Sequence, residues 1–530
     1  MGALDWNLRS VPAEDVTRYV ADGWWTDDPL GRRLVSGLRE HRSLPFVVHS
    51  RSRPWSGTLG DVLDLALRLA GGLHARGVEP GDVVSFQLPN WMEAAATFYA
   101  ASFLGAVVVP IVHFYGGKEV GYILGESEPR VHVTTPAFGH QDFDANLATL
   151  DLGGTEVVML GEASFDALAA ADPLAAPLAV DPSAPALVGW TSGTTANPKG
   201  VIHSHRTIWS EVRQLSAAQP PFPRPNIVGA PVGHAIGMLS ALLTPLELGQ
   251  AIHLTDVWDP GAILRTMVEH DLGLGGGATF FFTSLLDHPD FTDAHLQRMA
   301  YAGMGGSSVP RAVAERLTEM GITVYRMYGS TEHPSITGCT YVDPLEKRLA
   351  SDGPPLPGVR IRLVDEDGSD VAPGEPGEIL SRGPDCFVGY TDPALTAQVF
   401  DADGWYHTGD IGVADSEGYV TITDRKSDVI IRGGENISAA EVEELLLRVP
   451  GVAEAAVVAA PDARLGEHAC AFLRLLPEAS MPDLPAVRSA LEQAGLARQK
   501  WPEELVEIGE FPRTASGKVQ KFALRSRLRG

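Results

Sequence analysis

The first half of the chain alternates between helical and strand patterns of apolar residues. Apolar positions recur at helical spacing over 58–73, and a Pro-Gly-Asp turn then leads into a short apolar run at 83–88. A second helical stretch, 91–104, is followed by a β-branched run at 107–111. Helices that alternate with short buried strands predict parallel βαβ units, in which helices cover both faces of the sheet.

The pattern changes after residue 353. Short strands, among them 359–364 and 378–380, are separated by Pro-Gly turns in this part of the chain. Closely spaced short strands with such turns predict a small, strongly twisted β subdomain. We expect it to complete the large N-terminal part of an α/β protein.

The last hundred residues have the pattern of a separate α+β unit. The sequence Ser-Ala-Ala-Glu at 438–441 has the spacing of a capping box before an amphipathic helix, and apolar runs at 452–460 and 469–475 predict strands. About a hundred residues is a normal domain size. We therefore predict a large domain of parallel sheets over 1–426 and a small, mobile α+β domain over 427–530.

Length and charge narrow the classes of function. A chain of 530 residues is too long for one ordinary core and predicts at least two domains. The formal net charge of −26 argues against nucleic acid as a partner, because phosphate backbones are bound by basic patches. One local exception is the segment 513–529, which contains basic residues and no acidic ones. It is either a solvated tail or a surface for the phosphates of a nucleotide.

Cysteines and the longest uncharged stretch bear on the compartment. The three cysteines lie far apart and match neither a metal-binding nor a disulfide spacing, which fits a reducing compartment. Residues 94–112 are uncharged and long enough to suggest a membrane span, but a glycine and a proline interrupt them. A buried helix followed by a buried strand is favoured. Since the N-terminus also lacks the apolar core of a signal peptide, we expect a cytoplasmic protein without a transmembrane segment.

The most informative stretch is 191–200. It reads Thr-Ser-Gly-Thr-Thr-Ala-Asn-Pro-Lys-Gly and follows an apolar run that predicts a strand. Backbone N–H groups, hydroxyl donors and a cation are the groups that hold a polyphosphate. It is not a Walker A loop, because no glycine precedes Lys199 and no Ser or Thr follows it. Taken alone, the stretch could also be a Gly- and Thr-rich surface turn.

Four further motifs follow in order. They are Tyr-Gly-Ser-Thr-Glu at 328–332, Gly-Trp-Tyr-His-Thr-Gly-Asp at 404–410, Asp-Arg-Lys-Ser-Asp at 424–428 and Pro-Arg-Thr-Ala-Ser-Gly-Lys at 512–518. In this order the set resembles the adenylate-forming superfamily: acyl-CoA synthetases, the adenylation domains of peptide synthetases, and beetle luciferases. An ordered set of motifs is far more specific than any one of them.

The resemblance implies a reaction in two steps. A carboxylate attacks the α-phosphate of ATP to give an acyl-adenylate and pyrophosphate, and the acyl group then passes to a thiol, usually that of CoA. Because the carboxylate and ATP are both anions, the site must neutralise charge and hold the two in line. The implied cofactors are ATP, Mg²⁺ and CoA, and the partner is a small carboxylic acid.

By resemblance, several groups of residues hold the nucleotide. Those implied are Thr191, Ser192, Gly193, Thr194, Thr195 and Lys199 at the β- and γ-phosphates; Gly305, Gly306, Ser307, Tyr328 and Gly329 at adenine; Asp410 at the ribose; and Arg425 at the ribose or the phosphate region. The glycines are equally compatible with a tight turn. Arg425 could instead be a surface arginine.

Three residues are implied in catalysis. Glu332 would bind magnesium, the hydroxyl of Thr331 would reach a phosphate, and Lys518 would bridge the carboxylate and the α-phosphate. Taken alone, Glu332 could be an acid at a helix N-terminus. Lys518 could likewise be a solvated lysine in a basic tail.

The implied acyl pocket includes His234, Met238, Gly303 and Met327. A lone histidine is more often structural, and methionine commonly fills cores. Peptide adenylation domains have an aspartate in this region that holds the α-amino group of an amino acid. This chain has Ala235 after His234 instead. An amino acid substrate is therefore disfavoured.

The thioester step in the family follows a rotation of the small domain. The resemblance places the hinge at Ser427, and Gly433 and Gly434 in the tunnel of the pantetheine arm. These two glycines could also simply form a turn. The family more often has Asp or Lys at the hinge and glycine at the position of Ala196, so the chain departs from the pattern at both sites.

Three local sequences look most like medium-chain fatty acyl-CoA and cyclohexanecarboxylate-CoA ligases. They are Pro-Val-Gly-His at 231–234, Val-Trp-Asp-Pro at 257–260 and Gly-Glu-Asn-Ile-Ser at 434–438. We therefore expect an ATP-dependent ligase of a medium-chain fatty or alicyclic acid with CoA. Two alternatives stay open: an enzyme that loads a carrier-protein phosphopantetheine, and a non-catalytic nucleotide-binding protein. The sequence is also compatible with a homo-oligomer.

Overall fold

The structure is a computed structural model that describes residues 6–191, 198–306, 309–426, 428–432, 435–462, 464–494, 496–513 and 518–528. It confirms the predicted α/β class, with parallel sheets covered by helices in the first part of the chain.

The α-helices are Ala13–Ala21, Leu30–Glu40, Leu59–Ala75, Met92–Phe103, Gly117–Ser127, Phe143–Leu147, Ala163–Ala169, His205–Ala218, Ala235–Met238, Thr244–Glu247, Pro260–Glu269, Thr279–Leu286, Asp293–Leu296, Arg311–Glu319, Leu345–Ala350, Pro393–Val399, Ala439–Leu446, Leu484–Gln493 and Lys521–Arg527. A π-helix spans Leu239–Leu243 and a 3₁₀ helix spans Arg498–Lys500.

Two sheets of mixed direction form the first half of the chain. The seven-stranded sheet has the order Gly389–Tyr390, Lys199–Ser204, Pro185–Thr191, Val107–Pro110, Val83–Gln87, Val131–Thr134 and Glu156–Met159, and its last five strands are parallel. A four-stranded sheet has the order Ile227–Val228, Ile252–Thr255, Pro45–His49 and Trp55–Thr58. A small hairpin joins Ala137–Phe138 to Gln141–Asp142.

The helices between these sheets follow the predicted pattern. Helix Leu59–Ala75 begins with a full capping box, in which the Thr58 hydroxyl accepts from the Asp61 N–H and the Asp61 carboxylate accepts from the Thr58 N–H.

Helix Met92–Phe103 is buried on all sides and leads into the buried strand Val107–Pro110. The uncharged stretch is therefore a core helix and strand, as predicted. Among the described residues, no helix is both long and apolar enough to cross a membrane.

Two further four-stranded sheets contribute residues to the cleft. One has the order Gly276–Gly277, Tyr301–Met304, Thr323–Tyr328 and Thr337–Gly338, with its first three strands parallel. The other is antiparallel, with the order Arg360–Val364, Pro376–Arg382, Tyr406–Ala414 and Val420–Arg425. This second sheet is the predicted β subdomain. Its register places Asp410 directly opposite Arg425.

The end of the chain forms its own sheet and core. The sheet contains Glu435–Ile437, Ile430–Arg432, Gly466–Leu475, Val452–Asp462 and Glu504–Glu507. Apolar side chains from the strands and from helix Ala439–Leu446 form a core made entirely of residues after 429. The boundary between 426 and 427 stays a prediction.

The predicted capping box before helix Ala439–Leu446 is half formed. The Ser438 hydroxyl accepts from the Glu441 N–H at 3.1 Å, as expected of an N-cap. The Glu441 carboxylate instead pairs with Lys500 at 2.6 Å. A distant lysine has thus replaced the Ser438 backbone as the partner of the glutamate.

Candidate active site

A single cleft of about 1860 Å³ collects the predicted residues from all parts of the chain. Strand ends and turns of both halves contribute to its walls. The lining includes Thr191, Lys199, His234, Gly303, Gly305, Gly306, Met327, Tyr328, Gly329, Thr331, Glu332, Asp410, Arg425 and Lys518. Folding therefore brings the first and the last of these motifs, more than three hundred residues apart, to one cavity.

The turn after strand Thr323–Tyr328 carries Thr331 and Glu332. A Cβ at Gly329 would lie 1.8 Å from the carbonyl oxygen of Pro334, so this close backbone approach requires glycine. The Nε2–H of buried His203 donates to the carbonyl of Thr331 at 2.7 Å. Burial lowers the pKa of His203 to about 4, so the ring is neutral at pH 7.

Glu332 is held from both its side chain and its backbone. The Tyr390 hydroxyl donates to Oε1 of Glu332 at 2.8 Å, and the Phe387 N–H donates to its carbonyl at 2.8 Å. The ammonium of Lys199 lies 5.6 Å from the centre of the Tyr390 ring. Tyr390 therefore contacts both the carboxylate of Glu332 and the ammonium of Lys199.

Asp410 lies at the junction of the two cleft sheets. The hydroxyl of Tyr328 donates to its Oδ2 at 2.7 Å, and Nε of Arg425 donates to its Oδ1 at 2.9 Å. The Asp410 carboxylate raises the pKa of Arg425 above its ordinary value. Each carboxylate oxygen has a second lone pair, so Asp410 can still accept hydrogen bonds from a ligand.

Lys518 directly precedes Val519, which pairs with Arg513 in an isolated β-bridge. Glu454 forms an ion pair with Arg513. Burial and the positive charge of Arg425 lower the pKa of Lys518 to about 8, although Asp410 and Glu332 act in the opposite direction. Lys518 is thus close enough to interact with both acids and largely protonated at pH 7.

His234 lines the same cleft. It precedes the short helix Ala235–Met238, and burial together with Lys518 lowers its pKa to about 4. The imidazole is therefore neutral at pH 7 and adds no charge beside Lys518.

One predicted acyl-pocket residue lies elsewhere. Met238 is 1% exposed and packs in the large hydrophobic core, whereas Ile236, Leu239 and Ser240 from the same segment line the cleft. The helical turn that directs these residues into the cavity directs Met238 away from it. Met238 therefore lies outside the lining of the main cleft, and its role in the acyl pocket stays a prediction.

Eight predicted residues lie outside the described part of the chain. They are Ser192, Gly193, Thr194, Thr195, Ser307, Ser427, Gly433 and Gly434.

The sequence reasoning missed the buried layer that supports the Thr331–Glu332 turn. His333 hydrogen-bonds to Ser381 at 2.8 Å and to Asp385 at 3.1 Å, and all three are fully buried. Burial lowers the pKa of His333, but Asp385 outweighs this effect and raises it to about 10. Ser335 links this cluster to Glu211 at 2.8 Å. His333 adjoins a recognised motif, but nothing in the sequence pairs it with Asp385.

Residues 40–391 match the AMP-binding enzyme family, and residues 441–518 match the AMP-binding enzyme C-terminal domain. The chain belongs to the AMP-binding enzyme family. The resemblance found in the ordered motifs is therefore confirmed.

Curated relatives are CoA ligases with different acids. The chain is 35% identical to a medium-chain fatty-acid–CoA ligase of Escherichia coli, over 96% of this chain and 92% of the relative. It is 33% identical to a feruloyl-CoA synthase of Amycolatopsis, over 92% of this chain and 98% of the relative. The protein is accordingly an ATP-dependent acyl-CoA ligase, an acid–thiol ligase, and its relatives differ in the acid.

Solved structures agree with this fold. The ATP-bound crystal structure of MatB from Rhodopseudomonas palustris has a TM-score of 0.84 at 28% identity, covering 94% of this chain and 98% of that chain. The apo structure of the same protein covers 95% and 99% at 29% identity, with a TM-score of 0.76. The structure described here thus superposes better on the ATP-bound form of that enzyme.

Proposed function

We propose that this AMP-binding enzyme activates a medium-chain fatty or alicyclic carboxylic acid as its adenylate and transfers the acyl group to CoA. The observation that carries the proposal is the position of Lys518 at a cleft whose acyl wall is largely apolar. Ile236, Leu239 and Met327 line that wall, and Ala235 stands where an acidic anchor for an amino group would be expected. Buried apolar contacts favour a hydrocarbon acid.

The cations of the cleft suit the adenylation step. Lys199, Arg425 and Lys518 all line the cavity, and they can offset the charge of a carboxylate that approaches an α-phosphate. In this proposal Lys518 bridges the two reacting anions, Lys199 holds the outer phosphates, and Asp410 accepts from the ribose hydroxyls. Fixed donors and charges act here without reorganisation during the reaction.

Glu332 fits the magnesium ion that such chemistry uses. Mg²⁺ is commonly bound by one or two carboxylates together with substrate phosphates. Glu332 is a hard oxygen ligand held in place by Tyr390, and no cluster of three metal-ligating side chains occurs among the described residues. A metal that arrives with ATP matches this arrangement. When bound, it would offset phosphate charge.

The second half-reaction needs the C-terminal domain to move. Lys518 lies in the cleft, and the structure superposes better on the ATP-bound form of MatB, which supports an adenylating arrangement. We propose that residues 427–530 rotate about Ser427 to admit CoA, with Gly433 and Gly434 beside the pantetheine arm. Such a rotation would withdraw Lys518 from the cleft.

A screen of acids in two assays tests the proposal. ATP–pyrophosphate exchange with each acid reports adenylation, and mass analysis after addition of CoA reports the thioester. We expect medium-chain or alicyclic acids to give both signals, and Lys518→Ala to give neither. Exchange restricted to aromatic acids would refute the proposed acid class. A product formed with a carrier-protein thiol but not with free CoA would refute the proposed acceptor.

A further inference from the structure

Two glycines and a tyrosine share one row of the cleft sheet. Gly276, Gly303 and Tyr325 stand side by side on three adjacent parallel strands. A Cβ at Gly303 would lie 2.6 Å from the hydroxyl of Tyr325 and 2.8 Å from its ring. The side chain of Tyr325 therefore lies across the sheet over Gly303, in space that glycine leaves open.

Tyr325 is a buried residue at the wall of the cleft, 3% exposed, and its hydroxyl has no hydrogen-bond partner among the described residues. Burial raises its pKa, so it stays a neutral phenol. Buried tyrosine hydroxyls usually find a partner, because an unmet hydrogen bond is costly. Since Tyr325, Gly303 and Gly276 all line the cleft, the unpaired hydroxyl faces the space available to a ligand.

The position of Tyr325 separates it from the reacting end of the substrate. It precedes Tyr328 by three residues in one strand, a rise of about 10 Å. Tyr328 contacts Asp410, on the nucleotide side. Met327, two residues after Tyr325 and therefore on the same face of the strand, lines the acyl wall between them. The phenol is thus placed toward the end of the acyl pocket remote from the carboxylate.

We propose that Tyr325 is a specificity-determining residue whose hydroxyl donates to an oxygen on the substrate, remote from the carboxyl group. The inference rests on the proposed function and narrows its substrate class. The preferred acid is then a medium-length or alicyclic acid that carries a keto, hydroxyl or ether oxygen at its distal end. A purely hydrocarbon acid fills the same pocket but leaves the phenol unpaired.

Matched pairs of acids test this inference. The first pair is decanoic acid and its analogue with a keto group on the carbon before the terminal methyl. The second is cyclohexanepropionic acid and its analogue with a ring ketone opposite the side chain. The ratio of kcat/KM within each pair is measured by pyrophosphate exchange for the wild type, Tyr325→Phe and Tyr301→Phe. Tyr301 is a matched control, since it lies on the neighbouring strand and packs against Phe222.

We expect the wild type to prefer the keto acid of at least one pair by about tenfold, the effect of one neutral hydrogen bond. Tyr325→Phe should abolish this preference, because kcat/KM should fall about tenfold more for the keto acid than for the parent acid. Tyr301→Phe should keep the preference. The Tm of Tyr325→Phe should not fall, because no protein hydrogen bond is lost.

The outcomes separate this inference from the proposed function. Efficient use of both parent acids with no preference, or a preference that survives in Tyr325→Phe, would overturn the inference and leave the proposed function standing. A lower Tm for Tyr325→Phe would also overturn it, since it would reveal a partner within the protein. If no member of either pair gives a CoA thioester, both the proposed acid class and this inference fail.

Discussion

Raising the pH should slow adenylation by removing the proton from Lys518. The pKa of this lysine falls from its ordinary 10.5 to about 8, because burial and the charge of Arg425 disfavour the ammonium. In the proposed mechanism, adenylation needs the protonated form, which offsets the charge of two anions. We therefore expect kcat/KM for the acid to be constant below about pH 7 and to fall tenfold per pH unit above about pH 8, since kcat/KM reports groups of the free enzyme.

The electrostatic contribution of Lys518 sets how far the rate falls at high pH, here called the alkaline limb of the profile. Loss of one electrostatic donor of this kind costs roughly 100- to 1,000-fold in rate. Lys518→Ala should therefore lose that much activity at pH 7. The wild-type rate should level off near the variant's rate some two to three pH units above the pKa, about where a neutral lysine contributes as little as alanine.

Stability gives a second measure of the same shift. A change in pKa from 10.5 to about 8 corresponds to roughly 3 kcal/mol, less whatever water in the cleft screens. The folded protein binds this proton less tightly than the unfolded chain does. The shift therefore lowers the free energy of unfolding by its full amount below pH 8, and this loss of stability disappears as the pH rises through 10.5. Lys518→Met should therefore be more stable than the wild type at pH 7, by at most this amount, with no difference above pH 10.5.

Pyrophosphate exchange from pH 6 to pH 10, with saturating Mg-ATP, measures this fall of kcat/KM with rising pH. Lys518→Arg is the informative control, because a guanidinium stays protonated throughout this range. Any activity that this variant retains should lack the alkaline limb. A flat wild-type profile up to pH 10, or the same limb in Lys518→Ala, would refute the assignment of the charge to Lys518.

Three further variants test the surroundings of the reaction. Glu332→Gln should raise the Mg²⁺ concentration needed for half-maximal exchange while the fold is kept, and an unchanged magnesium titration would exclude this residue as the ligand. Asp385→Asn should lower the free energy of unfolding by about 3–5 kcal/mol, because it leaves the buried charge of His333 unpaired, and denaturant unfolding measures this loss. Glu454→Gln weakens the ion pair with Arg513, the residue that pairs with Val519 next to Lys518, so adenylation should fall while thioester formation from added acyl-adenylate is maintained. An equal loss in both half-reactions would indicate a general defect instead.

Local periodicity predicted much of the fold. Helix Met92–Phe103 and strand Val107–Pro110 were expected from a glycine and a proline within one uncharged stretch, and the structure has both. The capping box before Ala439–Leu446 was expected from the same kind of local rule. Its glutamate pairs with Lys500, which is 59 residues away in sequence. A local rule holds where the competing partner is also local, and fails where folding supplies a better one.

The candidate site also contains residues that the sequence predicted and a residue whose orientation it did not. The resemblance of the ordered motifs to a known superfamily implied Lys199, Glu332, Asp410 and Lys518, and all four line one cleft. The orientation of Met238 was not readable from sequence. A methionine suits a core and a pocket equally, and packing alone decided that it faces the core.

The sequence by itself determined the family, the coarse reaction and the candidate residues, since these depend on residue types in a fixed order along the chain. The tertiary structure alone decided the contacts that give those residues their properties. His203 reaches the carbonyl of Thr331 across 128 positions, and burial together with Arg425, which lies far earlier in the chain, lowers the pKa of Lys518. Gly303 makes room for Tyr325 on the next strand. Hydrogen bonds and electrostatic fields act over a few ångströms in space, whereas a sequence records neighbours only along the chain.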